Sequence, residues 1–245
     1  MRRDFHFIGA IGAGVVTCLV GAAAVAVPAA ATTSAQSEYQ AALQAAGAQN
    51  VHFVSETIEQ GEHVEEVGDT GRTSGSLMVN VRSGTTTQTL AILLIGSKGY
   101  IEGNAAALKK MMGLTTAQAT EYTGRWLSFP TSDASLNALV SGLLTSHVAS
   151  EIRMSGPYTF GKTKVIAGHE TQAILGNAPT SSGTKVPIVL YVESSGTPRP
   201  VEEITEPGAK SSSISGSVTF SQWGEQTDPV APSKSVPLLP LLNAS

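Results

Sequence analysis

The order of strand-like and helix-like segments along the chain is the strongest constraint on its fold. Short strand-like segments fill residues 51–96, helix-like segments fill 104–153, and strand-like segments return from residue 163. Regular strand–helix–strand alternation is absent, so the pattern favours an antiparallel sheet with its helices gathered on one face. About ten short strands in one such sheet must curl. The sequence therefore predicts an α+β fold, with a curled antiparallel sheet wrapped around a few helices.

Apolar periodicity indicates which faces of these segments are buried. The strand-like segment 75–84 has one apolar face, formed by Leu77, Val79 and Val81. The segment 132–153 has a leucine-rich stripe and is predicted as one helix. The segment 104–112 places three apolar side chains on one helical face, Leu108, Met111 and Met112. Two interpretations of this last face remain open: ordinary core, or a pliable methionine lining for a ligand.

The N-terminal residues have the features of a targeting segment. Arg2 and Arg3 precede an apolar run over residues 8–27, and an A-x-A cleavage pattern follows at 29–31. We expect residues 1–31 to be a cleaved signal peptide. A retained N-terminal anchor is the alternative, because the run is long enough to span a bilayer. The expected location is the extracytoplasmic cell envelope or the medium, with the general secretory and twin-arginine export routes both open.

Cys18 is the only cysteine, and it ends the stretch VVTC, which resembles a lipobox. Lipidation of Cys18 would anchor the mature chain in the membrane, whereas the alternative is a chance cysteine in an apolar run. Cleavage after residue 31 would remove it, so neither disulfides nor thiol chemistry are expected in the mature protein.

Composition and charge narrow the classes of partner. Charged residues make up 14% of the chain, and the formal net charge is −4. This acidic balance does not favour nucleic acid as a partner. We expect one domain over residues 35–227, followed by a Pro-rich tail over 228–245, in a monomeric protein.

Sequence motifs for catalysis, metals and cofactors are absent. The chain contains no G-x-S-x-G elbow, phosphate-binding loop, dinucleotide-binding glycine fingerprint or H-E-x-x-H. The acidic residues between 56 and 69 match no ligand spacing, and we interpret them as a charged strand edge. We interpret Lys109 and Lys110 as solvated side chains at a helix end, where their positive charge suits the helix dipole. The alternative is that they contact an anionic lipid headgroup. The sequence thus predicts no enzymatic activity, no metal and no cofactor.

Three blocks of the sequence resemble a pattern of secreted and membrane-attached actinobacterial proteins. The blocks are GYIEGNAAALKKMMGLTTAQATEYTGRWLSFP (99–130), VPIVLYVESSGTPRPVEE (186–203) and FSQWGEQTDPVAP (220–232). Proteins with this pattern are similar to the LolA/LppX/LprG group of lipid and lipoprotein carriers. The resemblance implies a half-barrel of antiparallel strands around helices, with an apolar cavity between them. It also implies binding of acyl chains rather than catalysis.

The resemblance and the periodicity together lead to a specific hypothesis. The protein would bind or shuttle a lipid or lipidated protein at the outer surface of the cytoplasmic membrane. The expected cavity lining combines one sheet face with the helix stripes: Val79, Val81, Ile92, Leu94, Ile101, Leu108, Met111, Met112, Leu139, Leu143, Ile174, Val189 and Tyr191. The alternative is a structural, interaction or sensor module of the envelope that has a filled core and no ligand.

Overall fold

The structure, a computed structural model, describes residues 34–59, 61–178, 186–205 and 214–243. The expected leader and Cys18 lie outside the described residues. Within the described part of the chain, no helix has both the length and the hydropathy needed to cross a membrane.

The described residues form twelve strands and six helices. The strands are β1 (His52–Glu59), β2 (Glu62–Asp69), β3 (Ser74–Ser83), β4 (Thr86–Ile95), β5 (Lys98–Gly103), β6 (Leu127–Pro130), β7 (Ser155–Ile166), β8 (His169–Ala178), β9 (Val186–Glu193), β10 (Pro200–Thr205), β11 (Ile214–Ser221) and β12 (Val236–Pro237). The helices are α1 (Ala35–Ala46), α2 (Ala105–Lys110), α3 (Thr116–Glu121), α4 (Ala134–Ser141), α5 (Thr145–Glu151) and α6 (Leu239–Leu242).

All twelve strands belong to one sheet. Its spatial order is β12-β6-β5-β4-β3-β2-β1-β11-β10-β9-β8-β7. Every neighbouring pair is antiparallel except β12 and β6, which run parallel. Two meanders, β1 to β6 and β7 to β11, meet where β1 pairs with β11, with His52 opposite Ser221. The predicted α+β fold with one curled antiparallel sheet is confirmed.

The helices lie on one face of the sheet. Helices α2 and α4 pack on β4, whereas α1 packs on β7 and β10 and against α5. Asn104 caps α2, because its Oδ1 accepts a hydrogen bond from the backbone N–H of Ala107 at 2.9 Å. The same side chain donates from Nδ2 to the carbonyl of Thr87 at 2.9 Å. This double contact fixes the start of α2 above the beginning of β4.

The segment predicted as one helix over 132–153 is divided into α4 and α5. Gly71 interrupts it by docking between them: its N–H donates to the Leu143 carbonyl at 3.0 Å, and its carbonyl accepts from Thr145 N–H at 2.9 Å. A Cβ at position 71 would lie only 2.3 Å from the Ser74 carbonyl oxygen, so this approach requires glycine. Sequence periodicity continues across the break and therefore did not reveal it.

The C-terminal tail contributes to the core. Strand β12 pairs with β6, and the Leu238 N–H donates to the Ser128 carbonyl at 2.9 Å. The Leu238 side chain is fully buried in the main apolar cluster. Composition alone suggested an irregular or disordered tail, whereas residues 236–242 form a strand and a short helix that cover the edge of the sheet.

Candidate ligand-binding hollow

Alternating burial along the strands identifies the face of the sheet that meets the helices, which we call the inner face. Leu77, Val79 and Val81 of β3 are buried on it, as are their β4 neighbours Leu90 and Ile92. The strand pairing aligns these side chains in rows that cross the sheet, because successive residues point to opposite faces.

Most of the expected cavity lining lies in the packed apolar core. Ten of those side chains are buried in the main cluster: Val79, Val81, Ile92, Leu94, Ile101, Leu108, Met112, Leu139, Leu143 and Ile174. Met111 is partly buried against the same cluster. The structure therefore brings these residues together, but it packs them mainly against one another.

Val189 and Tyr191 lie on the opposite face of β9 from the core. Their neighbours Ile188, Leu190 and Val192 point to the inner face and belong to the apolar cluster. The Tyr191 ring instead contacts the ammonium of Lys164, 5.2 Å from the ring centroid. Apolar residues occupy both faces of β9, so period-two alternation could not show which face is inner, and a shift of one residue exchanges them.

Polar side chains occupy the inner face of the central strands, and we call this set the polar band. Its members come from β1, β2 and β10: Ser55, Thr57, Glu66, Glu203 and Thr205. Glu66 is opposite Ser55, Ser55 is opposite Val218, and Val218 is opposite Glu203. Three strand spacings separate the two glutamates, or roughly 14 Å. Sequence reasoning missed the band, although Ser55 shares a strand face with Phe53 in the primary pattern.

Among the central strands, β1, β2 and β11 carry little helix packing. The extensive helix–sheet contacts of the described residues fall on β4, β5, β7 and β10. On β1, β2, β11 and β10, the last of which also contacts α1, five inner-face residues remain partly accessible: Thr57, Val64, Glu203, Thr205 and Gly216. We call the space above these five residues the hollow. It lies over the seam between the two meanders.

Aromatic packing closes one end of the inner face. Phe53 lies directly over Gly68, where an added Cβ would come within 2.5 Å of the ring. Phe220, opposite Phe53, stacks on Trp223 with ring centroids 6.1 Å apart. The Trp223 Nε1 donates to the Pro200 carbonyl at 3.1 Å. These rings leave the other end of the inner face as the route to solvent.

A cleft of about 470 Å³ lies at this other end, which we call the mouth. It is lined by residues of β4 and α2: Thr86, Gln88, Ala106, Lys109 and Lys110. Gln88 is in the same row as Val81 and Val64, so the cleft leads toward the hollow along the inner face. Lys110 Nζ contacts Glu62 Oε1 of β2 at 2.7 Å and bridges the space between α2 and the central strands.

Glu203 is the most unusual titratable group of the hollow. Its carboxyl group has no side-chain hydrogen bond to the described residues, and burial raises its pKa to about 8. At neutral pH this carboxyl is therefore mostly protonated, which makes the wall of the hollow less polar and provides a hydrogen-bond donor. Tyr39 of α1 is near it, and burial raises the Tyr39 pKa to about 12, with a smaller contribution from the charge of Glu203.

Tyr39 holds the helix layer against the sheet on this side. Its hydroxyl donates to the Ile152 carbonyl at 2.9 Å and accepts from the Met154 N–H at 3.0 Å. The ring also stacks on Tyr158, with centroids 5.1 Å apart. Because the hydroxyl is already engaged in both directions, Tyr39 has a structural role beside Glu203.

Metal-ligating side chains do not converge in the described part of the chain, where no group of three His, Cys, Asp or Glu residues could hold an ion. Within the acidic stretch, Asp69 Oδ1 contacts His52 Nδ1 at 2.8 Å, and Glu65 lies 3.8 Å from Arg82. These carboxylates therefore pair with neighbouring cationic or neutral partners on the strands.

Comparison with known proteins gives structural matches only. No protein-family model and no curated protein matches the sequence. The crystal structure of LprF from Mycobacterium bovis is 15% identical, with a TM-score of 0.51 over 82% of this chain and 97% of LprF. The lipoprotein LppX from Mycobacterium tuberculosis is 16% identical, with a TM-score of 0.48 over 79% of this chain and 97% of LppX. The chain thus shares with LprF a LolA-like half-barrel fold, which is the fold that the sequence resemblance predicted.

Proposed function

We propose that this protein is a non-enzymatic cell-envelope protein that binds or shuttles a lipid or lipidated protein, with an acyl chain lying in the hollow. One observation carries the proposal. The central strands of the curled sheet keep partly accessible inner-face side chains where the helix packing is sparse. Apolar rows flank this space on both sides, so an alkyl chain entering it would leave water along its length.

The expected energetics are adequate for a carrier. Each buried methylene contributes about 0.8 kcal/mol, so ten methylenes would contribute about 8 kcal/mol. Loss of motional freedom on binding offsets about 4 kcal/mol or more of this. The remainder corresponds to reversible binding, which a shuttle between membrane surfaces needs. In this proposal the exported monomer works at the outer surface of the cytoplasmic membrane.

Blocking the hollow provides the direct test. Thr57→Phe places a ring on the inner face beside Gly216, whereas Ile58→Phe changes the adjacent, exposed residue on the outer face. Binding of the neutral fluorophore N-phenyl-naphthylamine would be titrated for the wild type and both variants. We expect Thr57→Phe to weaken binding about tenfold or more, equivalent to 1.4 kcal/mol. Equal affinities for the two variants would show that ligands do not enter the hollow.

A second candidate is the structural or interaction module with a filled core. It is favoured by the complete burial of Ile92, Ile101 and Leu108, which leaves no space beside these residues of the expected lining. A wild-type protein that binds neither the fluorophore nor lipids, after delipidation and refolding, would favour this second function.

A further inference from the structure

The cleft at the mouth combines two cationic side chains with a short ion pair. Lys110 is paired with Glu62 at 2.7 Å. Lys109 also lines the cleft, is exposed to solvent, and has no ion-pair partner among the described residues. The cleft thus holds two cationic side chains in a chain whose formal net charge is −4.

Gln88 adds an independent indication of a ligand. It is only 2% exposed, yet its side chain lines the cleft. Its amide makes no side-chain hydrogen bond to any described residue and remains in contact with the cleft. A side-chain amide at the floor of an open cleft can both donate and accept hydrogen bonds with a polar ligand.

The cleft walls are held in place by the fold. Asn104 fixes the start of α2 to β4, and Leu108 of α2 is fully buried beneath the lysines. On the opposite wall, β4 is paired with β3 along its whole length, from Ser83 opposite Thr86 to Ser74 opposite Ile95. The Thr86 hydroxyl, the Gln88 amide and the Lys109 ammonium therefore belong to elements with a fixed spacing.

We propose that this cleft binds the phosphate headgroup of an anionic lipid whose acyl chain occupies the hollow, an inference that rests on the proposed function. The Lys109 ammonium supplies the positive charge, while the Gln88 N–H and the Thr86 hydroxyl can donate hydrogen bonds to oxyanion oxygens. Lys110 is already engaged by Glu62, so Lys109 is the cationic group that we assign to the phosphate. The row from Gln88 through Val81 to Val64 then connects headgroup and acyl chain.

Two lysines at the end of a helix also have a simpler explanation, because they compensate the negative end of the helix dipole. That explanation predicts no difference between anionic and neutral lipids with identical acyl chains. It also assigns no role to the Gln88 amide at the floor of the cleft. Headgroup selectivity therefore separates the two explanations.

The experiment compares dioctanoyl phosphatidic acid with dioctanoylglycerol as competitors of the bound fluorophore. These two lipids differ only in the phosphate. We expect phosphatidic acid to displace the fluorophore at about tenfold lower concentration, a preference of 1.4 kcal/mol. Lys109→Gln should reduce this preference to about threefold or less. Lys98→Gln, which changes an exposed lysine at the start of β5, opposite the far end of β4, should leave the preference unchanged.

Each outcome has a separate meaning. Equal displacement by both lipids, or a preference that survives Lys109→Gln, would overturn the headgroup site and leave the proposed function intact. Failure of the wild type to bind the fluorophore or either lipid would overturn the proposed function itself. Inorganic phosphate alone should not displace the fluorophore, and binding of free phosphate as tight as that of phosphatidic acid would overturn the assignment to a lipid headgroup. Gln88→Leu, which keeps the side-chain bulk, should lower the preference in the same direction as Lys109→Gln.

Discussion

Two regions of the same inner face differ in chemistry and in covering. On β3 to β5, beneath α2 and α4, the inner side chains are mostly aliphatic, and Ile92 and Ile101 are fully buried. On β2, β1, β11 and β10, the same face carries the polar band and partly accessible residues. The comparison shows that the helices cover most of the aliphatic part of the inner face. A ligand would therefore meet a wall of mixed polarity rather than the residues with the most regular apolar pattern.

Truncation of matched residues in the two regions should give the largest difference. Ile92→Ala removes a fully buried side chain from β4, so we expect a loss of about 2–5 kcal/mol in the free energy of unfolding. Thr57→Ala in the hollow should cost about 1 kcal/mol or less, because its surroundings are incompletely packed. Urea denaturation would measure both. Similar costs would mean that the central strands are packed as densely as the covered region.

A substitution at the closed end of the inner face should change the free energy of unfolding by an intermediate amount. Gly68→Ala would push a methyl group to within 2.5 Å of the Phe53 ring, and we expect a destabilisation of about 1–3 kcal/mol. Phe53→Leu in the Gly68→Ala background should recover part of this loss by vacating the space. A double-mutant cycle measures the coupling between the two substitutions. If it shows no coupling, contact with the Phe53 ring is not the reason that position 68 excludes a side chain.

The pH dependence of stability should separate the hollow from the covered core. Because burial raises the Glu203 pKa from 4.5 to about 8, the folded state binds its proton more tightly than the unfolded state does. The stabilisation is complete below pH 4.5 and is lost as the pH rises toward 8, by at most about 1.4 kcal/mol per pH unit. Glu151, whose pKa burial raises to about 7, contributes over a lower part of the same range.

Thermal unfolding measured between pH 5 and 9 would check this sign. Glu203→Gln should flatten the decline near pH 8, where Glu151 is already mostly deprotonated. Its neighbour Glu202, on the outer face and 3.5 Å from Lys164, provides the matched control Glu202→Gln. A slope unaffected by Glu203→Gln would place the responsible group elsewhere.

The ion pair that joins the two regions should give the smallest effect. Glu62 lies on β2 and Lys110 on α2, and both side chains are more than a third exposed, at 38% and 41%. Solvent screening at such exposure limits an ion pair to about 0.2–1 kcal/mol. A double-mutant cycle with Glu62→Gln and Lys110→Gln would measure the coupling, which should shrink in high salt. Coupling well above this range would show that the pair clamps α2 over the mouth.

Sequence patterns were sufficient to predict the elements whose apolar residues recur with a clear period. The strands near 51–96 and the buried face of β3 follow from the alternation of apolar residues. The order of strands and helices also predicted one curled sheet. These features depend on neighbours in the chain, so local physical chemistry determines them.

Features set by distant contacts could not be predicted in the same way. The division between α4 and α5 depends on Gly71, and the burial of Leu238 depends on β6, more than a hundred residues earlier. The inner face of β9 depends on its register with β8 and β10, because both of its faces are apolar. The polar band exists only once β1 and β11 are paired, which no local pattern indicates.

The pairing of β1 with β11 has a consequence for the time course of folding. Each meander consists mainly of hairpins between strands that are close in sequence, and such contacts form early because little loop entropy is lost. The seam, by contrast, joins His52 to Ser221 and requires closure of a very long loop. We expect the two meanders to form first and the seam last. The hollow would then be completed only when nearly the whole chain is available for folding, so the proposed binding surface would be among the last parts of the protein to form.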